Sequence, residues 1–204
     1  MIRQPYYTVD FTAIYCKFEI LVNDIPIICL ETDGQMSPNV PINFGIPLSG
    51  KQKLEINIFP VSGQNFIDEK TKIEYTIRLF DVFGNNFNHI KDCVINKIQT
   101  EKGKKLPSFK HNTFFEAEVP YTLNTYESSK DLTIFLKNDR DKLQNKLDVI
   151  YKKIGDCFVN KKYDTLYEII KEREQNMADS MYLNDIDSKA RFNSIIEDAE
   201  NGFS

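Results

Sequence analysis

The chain has no tryptophan, only two histidines and four cysteines, and no excess of positive charge. No apolar run approaches the roughly 20 residues that cross a bilayer. Each shortage removes a class of function. The histidines, His89 and His111, have 21 residues between them, and neither has a Cys, Asp or Glu at a familiar metal-ligand spacing. Asp92-Cys93 lies near His89, so a Cys/His centre would have to be assembled in space rather than by a local motif. No local signature of a cysteine protease surrounds any cysteine. Cys16, Cys29, Cys93 and Cys157 form no close sequence pair and read as reduced, mostly buried thiols in a chain large enough to fold without staples.

Charge excludes a further class. There are 26 basic and 30 acidic residues, a formal net charge of −4. Divided after Lys130, the two parts carry 14 basic against 15 acidic and 12 against 15. Neither has the surplus a nucleic-acid-binding module uses to neutralise phosphates. The N-terminal MIRQPYYTVDFTAIY lacks the unbroken apolar segment of a signal peptide, because Asp10 and other polar residues interrupt it. The expectation is a soluble cytoplasmic protein with no membrane and no nucleic-acid partner.

One motif imitates a phosphate-binding loop. Gly45 to Lys51 satisfies GxxxxGK, but Gln52 stands where a magnesium-binding hydroxyl belongs and Pro47 removes an amide. The residues that follow alternate as a strand, whereas such a loop must open onto a helix N-terminus. A β-turn at Ser49-Gly50-Lys51 is expected there, and no cofactor.

What is present is strand pattern followed by helix pattern. Cys16 to Glu31 reads as a hairpin turning at Asn23-Asp24, two residues that tolerate positive φ. Val22 would face Ile25, Ile20 would face Ile27 and Phe18 would face Cys29, which makes one face continuously apolar. Thr32-Asp33-Gly34 would end it, and Val40 to Ile46 would be an edge strand, since Pro41 lacks an amide hydrogen. Leu54, Ile56 and Ile58 alternate with charged or polar residues, as do Ile73, Tyr75, Ile77 and Leu79. His89 to Ile98 and Phe115 to Val119 add strands, Gln99 to Lys110 is a loop, and Leu132, Ile134 and Leu136 suggest a last strand. Seven or eight short strands without intervening helices predict an antiparallel, Ig-like β-sandwich, with an open barrel as the nearest alternative.

The period then changes. Leu143, Leu147, Ile150, Ile154, Cys157 and Phe158 lie on one helical face, with Asn138 or Asp139 as N-cap. A second helix capped by Asp164 carries Leu166, Ile169, Ile170 and Met177. A third starts at Asp187 or Ser188, with Gly202 in a left-handed C-cap position and Phe203 folding back. The fold class is therefore α+β: a β-sandwich domain over 1–125 and a helical region of about three helices over 126–204. Three short helices make a thin core, so they are expected to dock on the sandwich or on a partner, in a chain that would extend further if truncated. Cys157 to Lys171, CFVNKKYDTLYEIIK, resembles the opening helices of NTF2-like domains, which implies a curved sheet after the helices. Here the pattern stays helical.

Several clusters bear on function. Lys102, Lys104 and Lys105 form the densest basic group, at the tip of the loop after His89 to Ile98. Glu116 and Glu118 are two carboxylates on one strand, and Glu168, Glu172 and Glu174 with Lys171 and Arg173 read as the wet face of a helix. Asp139 and Asp141 lack the glycine and terminal glutamate of a calcium loop. The 10 tyrosines and 15 phenylalanines are the stronger signal. Phe80, Phe83 and Phe87 crowd one expected loop beside Gly84, and exposed aromatics suit a protein interface. The function expected is non-catalytic binding of another protein, as a bacterial immunity protein or chaperone binds its target, through Phe83, Phe87, Lys102, Lys104 and Lys105. Self-association into a homo-oligomer is the related possibility. The alternative is a small-molecule binder or enzyme with its site at the sandwich–helix junction, using His89 or His111.

Overall fold

The computed structural model describes residues 2–84, 86–100, 103–124 and 139–202. These fall into two compact units, Met1–Thr122 and Leu123–Ser204. The first carries seven strands: β1 (Pro5–Val22), β2 (Ile25–Met36), β3 (Asn39–Pro41), β4 (Gly50–Phe59), β5 (Lys72–Phe83), β6 (Asn86–Gln99) and β7 (Phe109–Ala117). All pair antiparallel in one sheet of order β6-β5-β1-β4-β7, with β2 and β3 also on β1.

β1 organises this unit. Residues 5–14 pair with β5 and residues 17–22 pair with β4, while β3 and then β2 occupy the opposite edge. β4 and β5 thus follow each other along the same edge, and the sheet forks between them. Tyr7, Val9, Phe11 and Ala13 are buried in the first half of β1; Cys16, Phe18, Ile20 and Val22 are buried in the second. The inward parity changes at Tyr15, whose φ is +49°. One residue in the left-handed region here turns the strand and keeps both halves facing one core. Phe11 and Phe18 meet edge to face across the bend, their centroids 5.2 Å apart. The core continues through Leu54, Ile56 and Ile58 on β4 and Ile73, Tyr75 and Ile77 on β5.

The result is a curled half-barrel, which corrects the Ig-like sandwich expected from strand count. Strand count alone does not distinguish two stacked sheets from one sheet folded over a shared, bent strand. The proposed last strand at Leu132, Ile134 and Leu136 lies outside the described residues, as do Lys102, Asn138 and Phe203.

The hairpin turn is where the sequence places it: Asn23 and Asp24 have φ of +49° and +66°, the signature of a type I′ turn. Val22 faces Ile25 as expected, but the register then slips by one, so Ile20 pairs with Ile28 and Phe18 with Leu30. The slip falls beside Pro26, which has no ladder hydrogen to give. The methyl of Ile27 packs instead near Gly45, in a single 3-10 turn (Asn43–Gly45). That turn replaces most of the edge strand expected over Val40 to Ile46. Its Asn43 side chain accepts from the Tyr7 amide at 2.6 Å and donates to the Pro5 carbonyl at 2.9 Å, while Ile42 and Ile46 enter the core. β2 also runs through Thr32-Asp33-Gly34 rather than ending there. The GxxxxGK segment leads straight into β4 at Gly50, so no helix N-terminus is available to a phosphate.

The second unit contains α1 (Arg140–Val159), α2 (Tyr163–Met181) and α3 (Asp185–Glu200). Asp139 precedes α1 without a side-chain capping bond, and α2 begins at Tyr163, with Asp164 inside its first turn. Asn184 caps α3 by accepting from the Ile186 and Asp187 amides. Gly202 adopts φ +82° just past α3, the left-handed position expected for it. Glu174 corrects the wet-face reading of α2. It is only 8% exposed and accepts from Arg191 Nε of α3 at 2.9 Å, with Arg173 on its other side. Tyr167 of α2 and Phe192 of α3 stack edge to face at 5.1 Å.

Two outcomes test this description. Tyr15→Val forces a β-branched residue into the left-handed region and should lower stability to urea by about 1–2 kcal/mol, while Tyr15→Gly should lose less. Glu174→Ala leaves Arg191 half-buried and unpaired, and should destabilise the helical unit by about 2 kcal/mol. Pairing Glu174→Met with Arg191→Met should recover much of that loss in thermal unfolding.

Candidate functional site

The seam of the half-barrel, where β6 should meet β7, closes at one end only. On β6 the register skips Cys93 between Ile77/Val94 and Arg78/Asp92, and skips Ile90 between Leu79/Lys91 and Phe80/His89. Each skip is a one-residue bulge, which bends a strand and raises its twist. At the closed end β6 and β7 meet through side chains: His111 Nε2 of β7 lies 2.9 Å from the Tyr75 hydroxyl and 3.3 Å from Asn96 Nδ2. Among the described residues β6 pairs only with β5 and β7 only with β4. Beyond the bulges the two edges separate.

A cleft of about 610 Å³ opens there, with Pro5, Tyr7, Leu79 and Ile90 among its walls. Arg3 and Lys91 stand on one rim, and Glu116 and Glu118 on the other. A smaller cleft of about 360 Å³ shares Lys91 and Glu116 and adds Cys93 and Phe114. The β7 side is pinned at its end. The Tyr7 hydroxyl accepts from the Glu118 amide at 2.9 Å. The Ser49 hydroxyl accepts from the Val119 amide at 2.9 Å and donates to the Val119 carbonyl at 3.0 Å. Among the described residues none of Arg3, Lys91, Glu116 and Glu118 makes an ion pair. The guanidinium of Arg3 lies over the Phe83 ring, 4.9 Å from its centroid.

Burial sets the protonation states along the seam. It pushes the Tyr7 and Tyr75 phenols up and the His111 imidazole down. It also pushes the Cys93 thiol up, opposite to the shift that activates a nucleophile. The Cys16 thiol in the core rises to about 11. All four cysteines are free. Elsewhere on the β4–β7 arm, Glu55 is 5% exposed and bridges Lys110 at 2.6 Å and Lys53 at 3.0 Å. Lys110 first, then Lys53 and Asn57, hold its carboxyl down to about 2. Among the described residues no three His, Cys, Asp or Glu gather as a metal site.

The aromatic residues singled out from sequence are strand residues rather than a loop cluster. Phe80 and Phe83 end β5 and Phe87 begins β6. Phe83 is 60% and Phe87 56% exposed. Phe87 meets Tyr6 edge to face at 5.3 Å and Phe80 at 6.4 Å, while Phe80 meets His89 at 5.6 Å. His89 Nε2 donates to the Asp92 carboxylate at 2.9 Å, and Asp92 also reaches Arg78. Lys104 and Lys105 lie past the far end of β6, Lys105 over the Phe66 ring at 5.8 Å. From Phe87 to Gln99 a strand spans about 40 Å, so the aromatic and basic groups form two patches, not one. Glu116 and Glu118 are exposed, as expected, but on the cleft rim.

Sequence reasoning does not mark Arg3, Ser49 or Lys91 as site residues. The partners of the Tyr7 and Ser49 hydroxyls, Glu118 and Val119, stand 70 or more residues away in sequence. One local signal existed: Ile90, Cys93, Val94 and Ile95 break the alternation of β6, as a bulged strand does.

Comparison with protein-family models, with curated proteins and with solved structures returned no match. The segment resembling an NTF2-like helix pair spans the end of α1 and the start of α2 and leads into a further helix, α3.

His111 yields a pH prediction. Its folded-state pKa lies below the ordinary 6.5, so the unfolded chain takes up the proton first. Stability should be constant with respect to this group above that value, fall as pH drops through it, and level off below the folded pKa. His111→Asn should flatten that part of the stability profile measured between neutral and mildly acidic pH.

Proposed function

We propose that this chain is a non-catalytic binding protein whose β unit recognises another protein. The supporting observation is the exposed aromatic group at the β5–β6 turn, where Phe83 and Phe87 are each more than half exposed beside Tyr6, Phe80 and Arg3. Aromatic residues and arginine are the types enriched at interface centres, and they contribute most where they desolvate. Neutralising or chaperoning a target is the mode such a surface serves. The histidines have structural partners, Asp92 for His89 and Tyr75 with Asn96 for His111, which favours binding over acid–base chemistry.

Affinity capture from native lysate at low and moderate salt, with mass spectrometry, tests the proposal. One stoichiometric partner should survive moderate salt, and Phe83→Ser with Phe87→Ser should weaken it at least tenfold, about 1.4 kcal/mol or more. Replacing both histidines by Asn should leave capture unchanged. An inert monomer that retains nothing at either salt would sink the reading.

A further inference from the structure

Two features of the seam belong together. β7 keeps an unbroken register with β4 from Phe109 to Ala117, yet among the described residues its other edge has no backbone partner. Its natural neighbour, β6, is bulged at Cys93 and Ile90 and so is bent away from pairing with it. An edge that is regular, unpaired and beside a cleft is a template for an added strand. The walls beside it are apolar at Pro5, Leu79 and Ile90, while the rims carry opposite charge, Arg3 and Lys91 facing Glu116 and Glu118.

We propose that the open seam between β6 and β7 is a binding site for an extended segment of a partner protein, added as a strand on the free edge of β7. The segment turns alternate apolar side chains into the cleft. It sets a carboxylate toward Arg3 and Lys91 and a basic side chain toward Glu116 and Glu118. This is charge complementarity that an uncharged or single-signed segment does not offer. The inference rests on the protein-binding reading and assigns it a second surface, which adjoins the aromatic group at the β5–β6 turn through Arg3.

The test uses the full chain and an array of capped ten-residue peptides. Apolar and polar residues alternate in them, with one acid and one base; uncharged, single-signed and scrambled sets serve as controls. Acid-and-base peptides should bind at least tenfold more tightly than the controls, and hydrogen exchange should slow at the amides of Phe114 to Ala117. N-methylation of alternate peptide amides should abolish binding, because it removes the ladder hydrogen bonds and leaves the side chains. Lys91→Glu with Glu116→Lys should lose the original peptides and gain those with the two charges exchanged. Binding that ignores N-methylation, or protection outside the seam, overturns the inference. So does protection of the same amides by self-association at high protein concentration, since the occupant is then a second copy. If no peptide binds while a partner is still captured through Phe83 and Phe87, the seam inference falls and the protein-binding reading stands.

Discussion

Everything in the β unit depends on the bend of β1 at Tyr15. A straight strand of 18 residues would lay β5 and β4 end to end along one edge, and their arms would never face each other. Turning the chain there brings Phe11 against Phe18 and lets Tyr75 of one arm reach His111 of the other. A tyrosine at positive φ costs about 1–2 kcal/mol, so the surroundings must fix it. They do so from three sides. Thr71 donates to the Tyr15 carbonyl at 2.6 Å, Gln64 donates to its hydroxyl at 3.1 Å, and the ammonium of Lys70 lies 5.5 Å from its ring centroid. All three partners come from the β4–β5 connection, which spans the fork.

The strands were legible because alternation is a local property. Ile73, Tyr75, Ile77 and Leu79 are buried as their spacing says, and the Asn23-Asp24 turn follows from the backbone preferences of two residues. The irregularities were not legible, and they decide the architecture. A bulge adds one residue to one strand, and whether Ile27, Ile90 or Cys93 is the added one depends on what lies across the sheet. At Ile27 the deciding neighbour is Gly45, whose missing side chain leaves room for that methyl. A Cβ there would come within 2.8 Å of Val22 Cβ and 3.1 Å of Ile27 Cδ1. Strand count therefore suggested a sandwich, while four single-residue features (Tyr15, Ile27, Ile90 and Cys93) produce a half-barrel with a seam.

The candidate sites divide along the same line. Phe83 and Phe87 could be singled out because an aromatic beside a glycine turn is a local observation, although sequence placed them in a loop rather than on paired strands. The seam could not be found that way. Its walls come from both ends of the unit, and its charged rims set Arg3 and Lys91 beside Glu116 and Glu118 only after the sheet has curled. The broken alternation of β6 was a sign that the strand departs from a flat ladder, but it does not say which neighbour is lost as a result.

The helical unit shows the limit of periodicity from the other direction. The apolar stripe of α1 is as regular as any in the chain, yet only Cys157 on that helix is fully buried, while Leu147 and Ile150 are exposed. A 3.6-residue period states which face would be buried if a surface is supplied; it does not supply the surface. On α2 the reverse holds. Glu174 falls among charged neighbours that sequence assigns to water, and Arg191 from α3 draws it into a partly buried pair. An ion pair of that kind contributes little net stability over an apolar pair of the same volume, but it tolerates poorly the loss of one member. Its effect is therefore to fix how α2 and α3 are set against each other, with the Tyr167–Phe192 stack as the apolar half of the same contact.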